Sequence, residues 1–261
     1  MQLGMMNDPR KDACAEARWA AEHGFEFLDL TIEGPAASLE QLAVPELHRI
    51  LAESGLAVVG HTAWYLPFAS PFAAVRRAAI ESAAATFETF AQVGAAYVNV
   101  HLTFAPRLFP SELWLDWNGE CFAELAERAE AYQLQVMVEH PPSGSIGVKE
   151  IGRVLDADKR LGFHLDVGHA NVGGNKLEAL LKAFGNRLVH VHMSDNHGNH
   201  DEHLPLGAGT IDYPKAIRML RQSGYNDTIT LEVFSADRDY LLLSAQKVRR
   251  WWAAAEHTDE P

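Results

Sequence analysis

Short runs of Val, Ile, Leu and Phe alternate along the chain with longer stretches whose apolar positions recur every three to four residues. Continuous apolar runs of that length read as strands buried on both faces, and the stretches between them read as amphipathic helices. The pattern is therefore one of repeated βα units on a parallel sheet. Strands are expected near Gln2–Met6, Phe25–Ile32, Leu56–His61, Tyr97–His101, Gln135–His140, Leu161–Asp166, Leu188–His192 and Thr228–Phe234. Helices are expected near Asp12–Glu22, Leu39–Ser54, Phe72–Gln92, Glu112–Tyr132, Lys149–Leu155, Lys176–Phe184, Pro214–Ser223 and Asp237–Ala255. Gly24, Gly55, Gly94 and Gly224 each follow a helical stretch and precede a strand, which is the place of a left-handed C-terminal cap.

Eight such units fit a chain of 261 residues, and no Gly-rich phosphate loop follows the first strand. Closure into a (β/α)8 TIM barrel is favoured over a doubly wound open sheet, the competing α/β architecture. No linker or composition shift divides the chain, so residues 1–261 are expected to form a single domain, with a frayed tail from about 253 to 261.

Composition narrows the range of partners. Lys plus Arg total 22 against 35 Asp plus Glu, a net charge of −13 that repels a phosphate backbone, so nucleic acid is not the expected partner. Cys14 and Cys121 form no CxxC pair and suggest neither a disulfide framework nor a thiolate metal site. The opening residues lack the basic and apolar parts of a signal peptide, and no apolar run approaches the roughly 20 residues that span a bilayer. A cytoplasmic protein acting on a small molecule is the expectation, with oligomeric state not readable.

Ionisable residues fall repeatedly where the strands end. His61 closes the third strand, His101 the fourth, Glu139 the fifth, Asp166 the sixth, His192 the seventh and Glu232 the eighth, each directly after an apolar run. In a barrel these positions converge on one axis, and no matching set of strand-terminal Lys or Arg accompanies them. Divalent metal is the simplest counter-charge, and mixed imidazole and carboxylate donors suit Zn²⁺, Mn²⁺, Co²⁺ or Fe²⁺. His169, Asp201 and His203 lie just beyond strands, the last two in the histidine-dense loop SDNHGNHDEHLPLGAGTIDY. Trp64, Tyr65 and Phe68 follow His61 and are candidates for an apolar substrate wall. His190 reads as a barrel-interior residue, His197 and His200 as solvated loop residues, and Asp195 as a loop cap or a partner to a ligand.

The segments VEH, HLDVGHAN, HVHMSDN with DEHLPLGAGTIDY, and ITLEVF resemble the xylose isomerase-like barrel superfamily, which includes sugar phosphate isomerases and epimerases and the endonuclease IV-type apurinic endonucleases. Resemblance to the epimerase branch implies one metal on Glu139, Asp166, His192 and Glu232, with Glu139 and Glu232 also moving the proton. Resemblance to the endonuclease branch implies up to three zinc ions on His61, His101, Glu139, Asp166, His169, His192, Asp201, His203 and Glu232.

Two enzyme readings follow, both with a divalent metal, zinc or manganese, in one to three ions. The first is an isomerase or epimerase of a small sugar or sugar phosphate, working through an enediolate with Glu139 and Glu232 as the acid/base pair. The alternative is a multinuclear zinc hydrolase cleaving a phosphoester or related bond. A barrel that holds metal without turnover is the third class.

Overall fold

Each apolar run pairs in parallel with the next, and the sheet closes. In the computed structural model, which describes residues 1–256, the strands are β1 (Gln2–Met6), β2 (Phe27–Ile32), β3 (Ala57–Thr62), β4 (Tyr97–His101), β5 (Gln135–Glu139), β6 (Gly162–Asp166), β7 (Leu188–Met193) and β8 (Thr228–Leu231). They follow one another in sequence order around a closed eight-stranded barrel. The helices between them are α1 (Ala13–Glu22), α2 (Val44–Ser54), α3 (Ala73–Ala84), α4 (Phe87–Gln92), α5 (Ser111–Glu130), α6 (Val148–Leu155), α7 (Val167–Asn171), α8 (Leu177–Phe184), α9 (Tyr213–Gln222) and α10 (Asp239–Glu256). This is the (β/α)8 fold expected from the apolar pattern.

The local departures have local causes. The second helix begins at Val44 rather than Leu39 because Pro45 stands in its first turn, where a missing N–H costs nothing; further inside it would break a bond of the ladder. The long third helix is two, separated at Ala85 and Thr86, where the Thr86 hydroxyl donates back to the Ala83 carbonyl at 2.7 Å. The five-residue α7 has no counterpart among the expected helices; Asp166 caps it by accepting from His169 N at 2.7 Å. The four glycines expected to cap helices all take positive φ, as at Gly55 with φ +67. Helix α10 continues through Glu256, past the expected start of the tail, whose remaining residues 257–261 lie outside the described ones.

The chain divides into two compact units. One comprises Gly4–Pro141 and Lys149–Phe163. Its interior is built on Phe27, Leu28, Leu30, Val98, Val100, Val136 and Met137, all fully or almost fully buried. Register within it sets Thr31 beside His61, His61 beside Asn99, and His101 beside Glu139. Gly60 is required by packing, since a Cβ there would lie 2.9 Å from the Phe90 ring of α4.

The other unit comprises Met1–Leu3, Pro142–Val148 and the chain from His164 onward. Register here sets His192 beside Thr230. After β7 the chain doubles back, with Asp195 and Leu204 bonded through both peptides at 2.9 Å. The Asp195 carboxylate then accepts from the backbone N–H groups of Asn196, Gly207 and Ile211 at 2.9, 2.7 and 3.2 Å. A single buried side chain therefore organises the loop between β7 and α9.

Candidate functional site

In the first unit, His61, His101 and Glu139 meet. Each offers one ligand atom within 4.8 Å of the others. His101 Nε2 lies 2.9 Å from Glu139 Oε2, and His61 Nε2 lies 3.3 Å from His101 Nε2. His61 and Glu139 are buried and His101 is partly so.

Two residues that the pattern of strand ends does not mark complete this cluster. Asp29, buried in the middle of β2, faces His61 Nδ1 at 3.3 Å. Asn99, also buried, directs its amide to His61 Nε2 at 3.2 Å and donates to Glu139 Oε2. Asp29 can only accept, so this network puts the His61 proton on Nδ1 and leaves a lone pair on Nε2 beside His101. That tautomer is the one a metal-ligating imidazole needs, with a carboxylate behind it to raise its basicity. The available signal was a polar residue inside an apolar strand, Asp29 in FLDLTI and Asn99 in YVNVH.

In the second unit, the expected ligands again come together. His192 Nδ1 lies 3.3 Å from Glu232 Oε2 and 3.9 Å from Asp166 Oδ2, all three residues being buried. Two carboxylates and an imidazole in one buried cluster are a mixed N/O donor set of the kind that fits a divalent cation. Gly168 leaves room for this arrangement, since a Cβ there would stand 2.6 Å from Ser194 Oγ and 3.1 Å from Asp166 Oδ1.

The loop after β7 brings Asp201 and His203 into the same unit's cluster. Asp201 Oδ2 lies between His169 Nε2 at 3.0 Å and His203 Nε2 at 2.9 Å. His203 also turns Nδ1 toward Glu232 Oε2 at 3.6 Å, and its backbone takes φ +47, an uncommon angle for a residue with a Cβ. Burial alone raises the Asp201 carboxyl, but hydrogen bonds from His169 and His203 outweigh it and hold the group well below the usual carboxylate range. For His203 burial works downward, and the Glu232 charge together with the Asp201 contact overcomes it, carrying the imidazole up to about 9.

Below these side chains His164 and His190 are buried one inward position earlier on β6 and β7. His190 is an interior residue, as expected, its nitrogens 2.7 and 3.0 Å from the Thr228 and Thr230 hydroxyls. The ring of His164 packs edge-on against His192, with centroids 4.1 Å apart. His197 and His200 are exposed loop residues.

The three aromatic residues after His61 differ in exposure. Trp64 and Tyr65 are 65% and 55% exposed and pack edge to face. Phe68 is a correction: at 1% exposure it packs against Phe122 and presents no surface to a ligand. The segment AWYLPFASPF turns inward after Pro67, where a large apolar ring gains more from the core than from the rim.

A closed parallel barrel with histidines and carboxylates gathered where its strands end defines a (β/α)8 protein of the kind that carries its chemistry at the C-terminal face. The chain belongs to the xylose isomerase-like TIM barrel family, whose model matches residues 17–255. An uncharacterized protein of Methanocaldococcus jannaschii is 31% identical over 225 residues, covering 81% of this chain and 76% of that protein. The L-ribulose-5-phosphate 3-epimerase UlaE of Escherichia coli is 25% identical over 129 residues, 49% of this chain and 45% of its own length. Among solved structures, a D-tagatose 3-epimerase-like protein superposes with a TM-score of 0.88 at 25% identity, covering all of both chains. An IolI protein with a bound zinc atom has a TM-score of 0.79 at 17% identity, covering 98% of this chain and 96% of its own, a likeness of fold. Among the described residues no helix is long and apolar enough to cross a membrane.

Proposed function

We propose that this protein is a metal-dependent isomerase or epimerase of a small sugar, in which Glu139 and Glu232 are the acid/base pair. The observation that carries this reading is that two buried carboxylates at the ends of β5 and β8 each touch a ligand-type imidazole, Glu139 at His101 and Glu232 at His192. Strand β8 pairs with β7, which sets Glu232 just past the register partner of Met193. We take Glu139, Asp166, His192 and Glu232 as the ligands of one divalent ion, zinc or manganese, within a single catalytic domain. The names of the relatives, a D-tagatose 3-epimerase-like protein and an L-ribulose-5-phosphate 3-epimerase, support sugars as the substrate class.

A metal bound there supplies Lewis-acid polarisation of the substrate carbonyl. Either glutamate then removes the proton on the carbon next to that carbonyl, leaving an enediolate, and the other returns a proton from the opposite face. The buried setting keeps both carboxylates away from bulk water, which lets them act on a weakly acidic C–H. Incubation with candidate ketoses in deuterated water is expected to place solvent deuterium at that carbon. Replacement of either Glu139 or Glu232 by Gln is expected to slow exchange by about 10²-fold or more. Exchange at the wild-type rate in both variants would remove the acid/base pair from the reading.

A second reading has its own observation. His61 and His101 extend the ligand set around Glu139, and Asp201 bridges His169 and His203. That supply exceeds the need of one ion and fits a multinuclear zinc hydrolase of a phosphoester. Metal analysis of protein purified without chelator separates the two: two or three ions per chain with phosphodiesterase activity favours the hydrolase, and one ion with deuterium exchange favours the epimerase.

A further inference from the structure

Glu33 follows directly on β2, yet neither reading of the site uses it. Its backbone is anchored on both sides. Asn7 takes the place of a neighbouring strand beyond Met6, accepting from Thr31 N at 2.7 Å and donating to the Thr31 carbonyl at 3.3 Å. Three residues past Glu33, Ala36 N donates to the Pro9 carbonyl at 2.9 Å. The side chain is half-buried, its Oε2 is enclosed, and among the described residues that atom has no hydrogen-bond partner. An enclosed carboxylate oxygen without a donor is costly, and one on a fixed backbone at a strand's C-terminal end is placed to receive donors from a ligand.

Its surroundings indicate the kind of donor. Register sets Ile32 beside Thr62, so Glu33 emerges level with the segment that leads to Trp64 and Tyr65. Burial and the charge of Glu33 together push the Tyr65 phenol upward, so the two groups lie within electrostatic reach. The exposed Trp64 and Tyr65 rings offer faces to C–H groups, and a carboxylate accepts from hydroxyls; together they suit a polyhydroxylated carbon chain. A phosphate at the same position brings two negative charges against a third.

We infer that Glu33 is a specificity-determining residue that selects uncharged sugars over sugar phosphates, receiving sugar hydroxyls on its carboxylate beside the Trp64–Tyr65 wall. This rests on the sugar reading above and narrows it to the free sugar.

The test is calorimetric binding of L-ribulose and L-ribulose 5-phosphate to the Mn²⁺-loaded full chain, wild type and Glu33→Gln, with thermal melts confirming that the variant is folded. Wild type is expected to prefer the free sugar by about tenfold or more, and Glu33→Gln, which keeps the shape and removes the charge, to erase most of that preference by binding the phosphate more tightly. Trp64→Ala is expected to weaken both sugars alike. A wild-type preference for the phosphate, or the same preference in wild type and Glu33→Gln, would overturn the assignment while leaving the sugar reading intact. Binding of neither sugar to wild type would overturn both. If Glu33→Gln fails to fold, Glu33→Asp is measured instead, and the assignment is dropped unless withdrawal of the carboxylate by one methylene reduces the discrimination.

Discussion

Asp29 and His61 face each other in the interior of the barrel, Asp29 Oδ1 3.3 Å from His61 Nδ1, so that the opposite nitrogen of the imidazole is turned toward His101. A carboxylate behind a ligating histidine fixes its tautomer and its orientation. Asp29→Asn keeps the size of the side chain and removes the charge. On the multinuclear reading, which places an ion at His61 and His101, the variant is expected to bind Co²⁺ there about 10- to 100-fold more weakly, measured by titration followed through its visible absorption. Unchanged affinity would show that His61 needs no such support.

The pH dependence of the metal-free protein has a defined sign. His203 is raised in the folded state to about 9 from an ordinary 6.5. A group raised on folding gives stability that is complete below about pH 6.5 and disappears as the pH climbs through about 9. Asp201, lowered from 3.8, behaves in the opposite way: its share is present above that value and is lost on acidification. Between pH 6.5 and 9.5 the chelated wild type is expected to lose on the order of 1–3 kcal/mol through His203, and His203→Asn to lose correspondingly less. Parallel melting curves for the two proteins across that range would rule the pairing out.

Phe68 and Trp64 stand four residues apart and are expected to separate in a stability experiment. Phe68 is buried against Phe122, so Phe68→Ala should cost about 3–5 kcal/mol by denaturant unfolding. Trp64 is largely exposed, and Trp64→Ala should stay within about 0.5 kcal/mol. Equal losses would contradict the division between core and rim.

Asp195→Ala removes the acceptor shared by the N–H groups of Asn196, Gly207 and Ile211. A loss of about 2–4 kcal/mol is expected, because three donors are left without a partner at once. Limited proteolysis should then cut within residues 197–203 far faster than in wild type, and equal rates of cleavage would show that the loop is held by other contacts.

Much of this was legible from the chain alone, for one reason. Buried parallel strands must be apolar, so an acid or an imidazole at a strand's end stands out, and VMVEH, FHLDVGH and VHVHMSD marked Glu139, Asp166 and His192 directly. The same logic extends to Asp29 and Asn99, but these stand inside their strands, where a polar residue is more easily taken for a buried structural pair. Phe68 departs from expectation because sequence distance from His61 says nothing about which way the chain turns after Pro67. The short α7 leaves no periodic trace because five residues carry too little of a 3.6-residue period, although Asp166 three positions before His169 is its cap. Glu33 gives no signal at all, since an acid followed by Gly-Pro reads as an ordinary turn.

The nine candidate ligands differ in what carries them. His61, His101, Glu139, Asp166, His192 and Glu232 ride on strands or on the residue just after one, whereas Asp201 and His203 belong to the connection between β7 and α9. Backbone bonded into a sheet opens less readily than a surface connection. On the multinuclear reading, occupancy is therefore expected to be graded: a cation touching Asp201 and His203 exchanges before one seated wholly on strand residues.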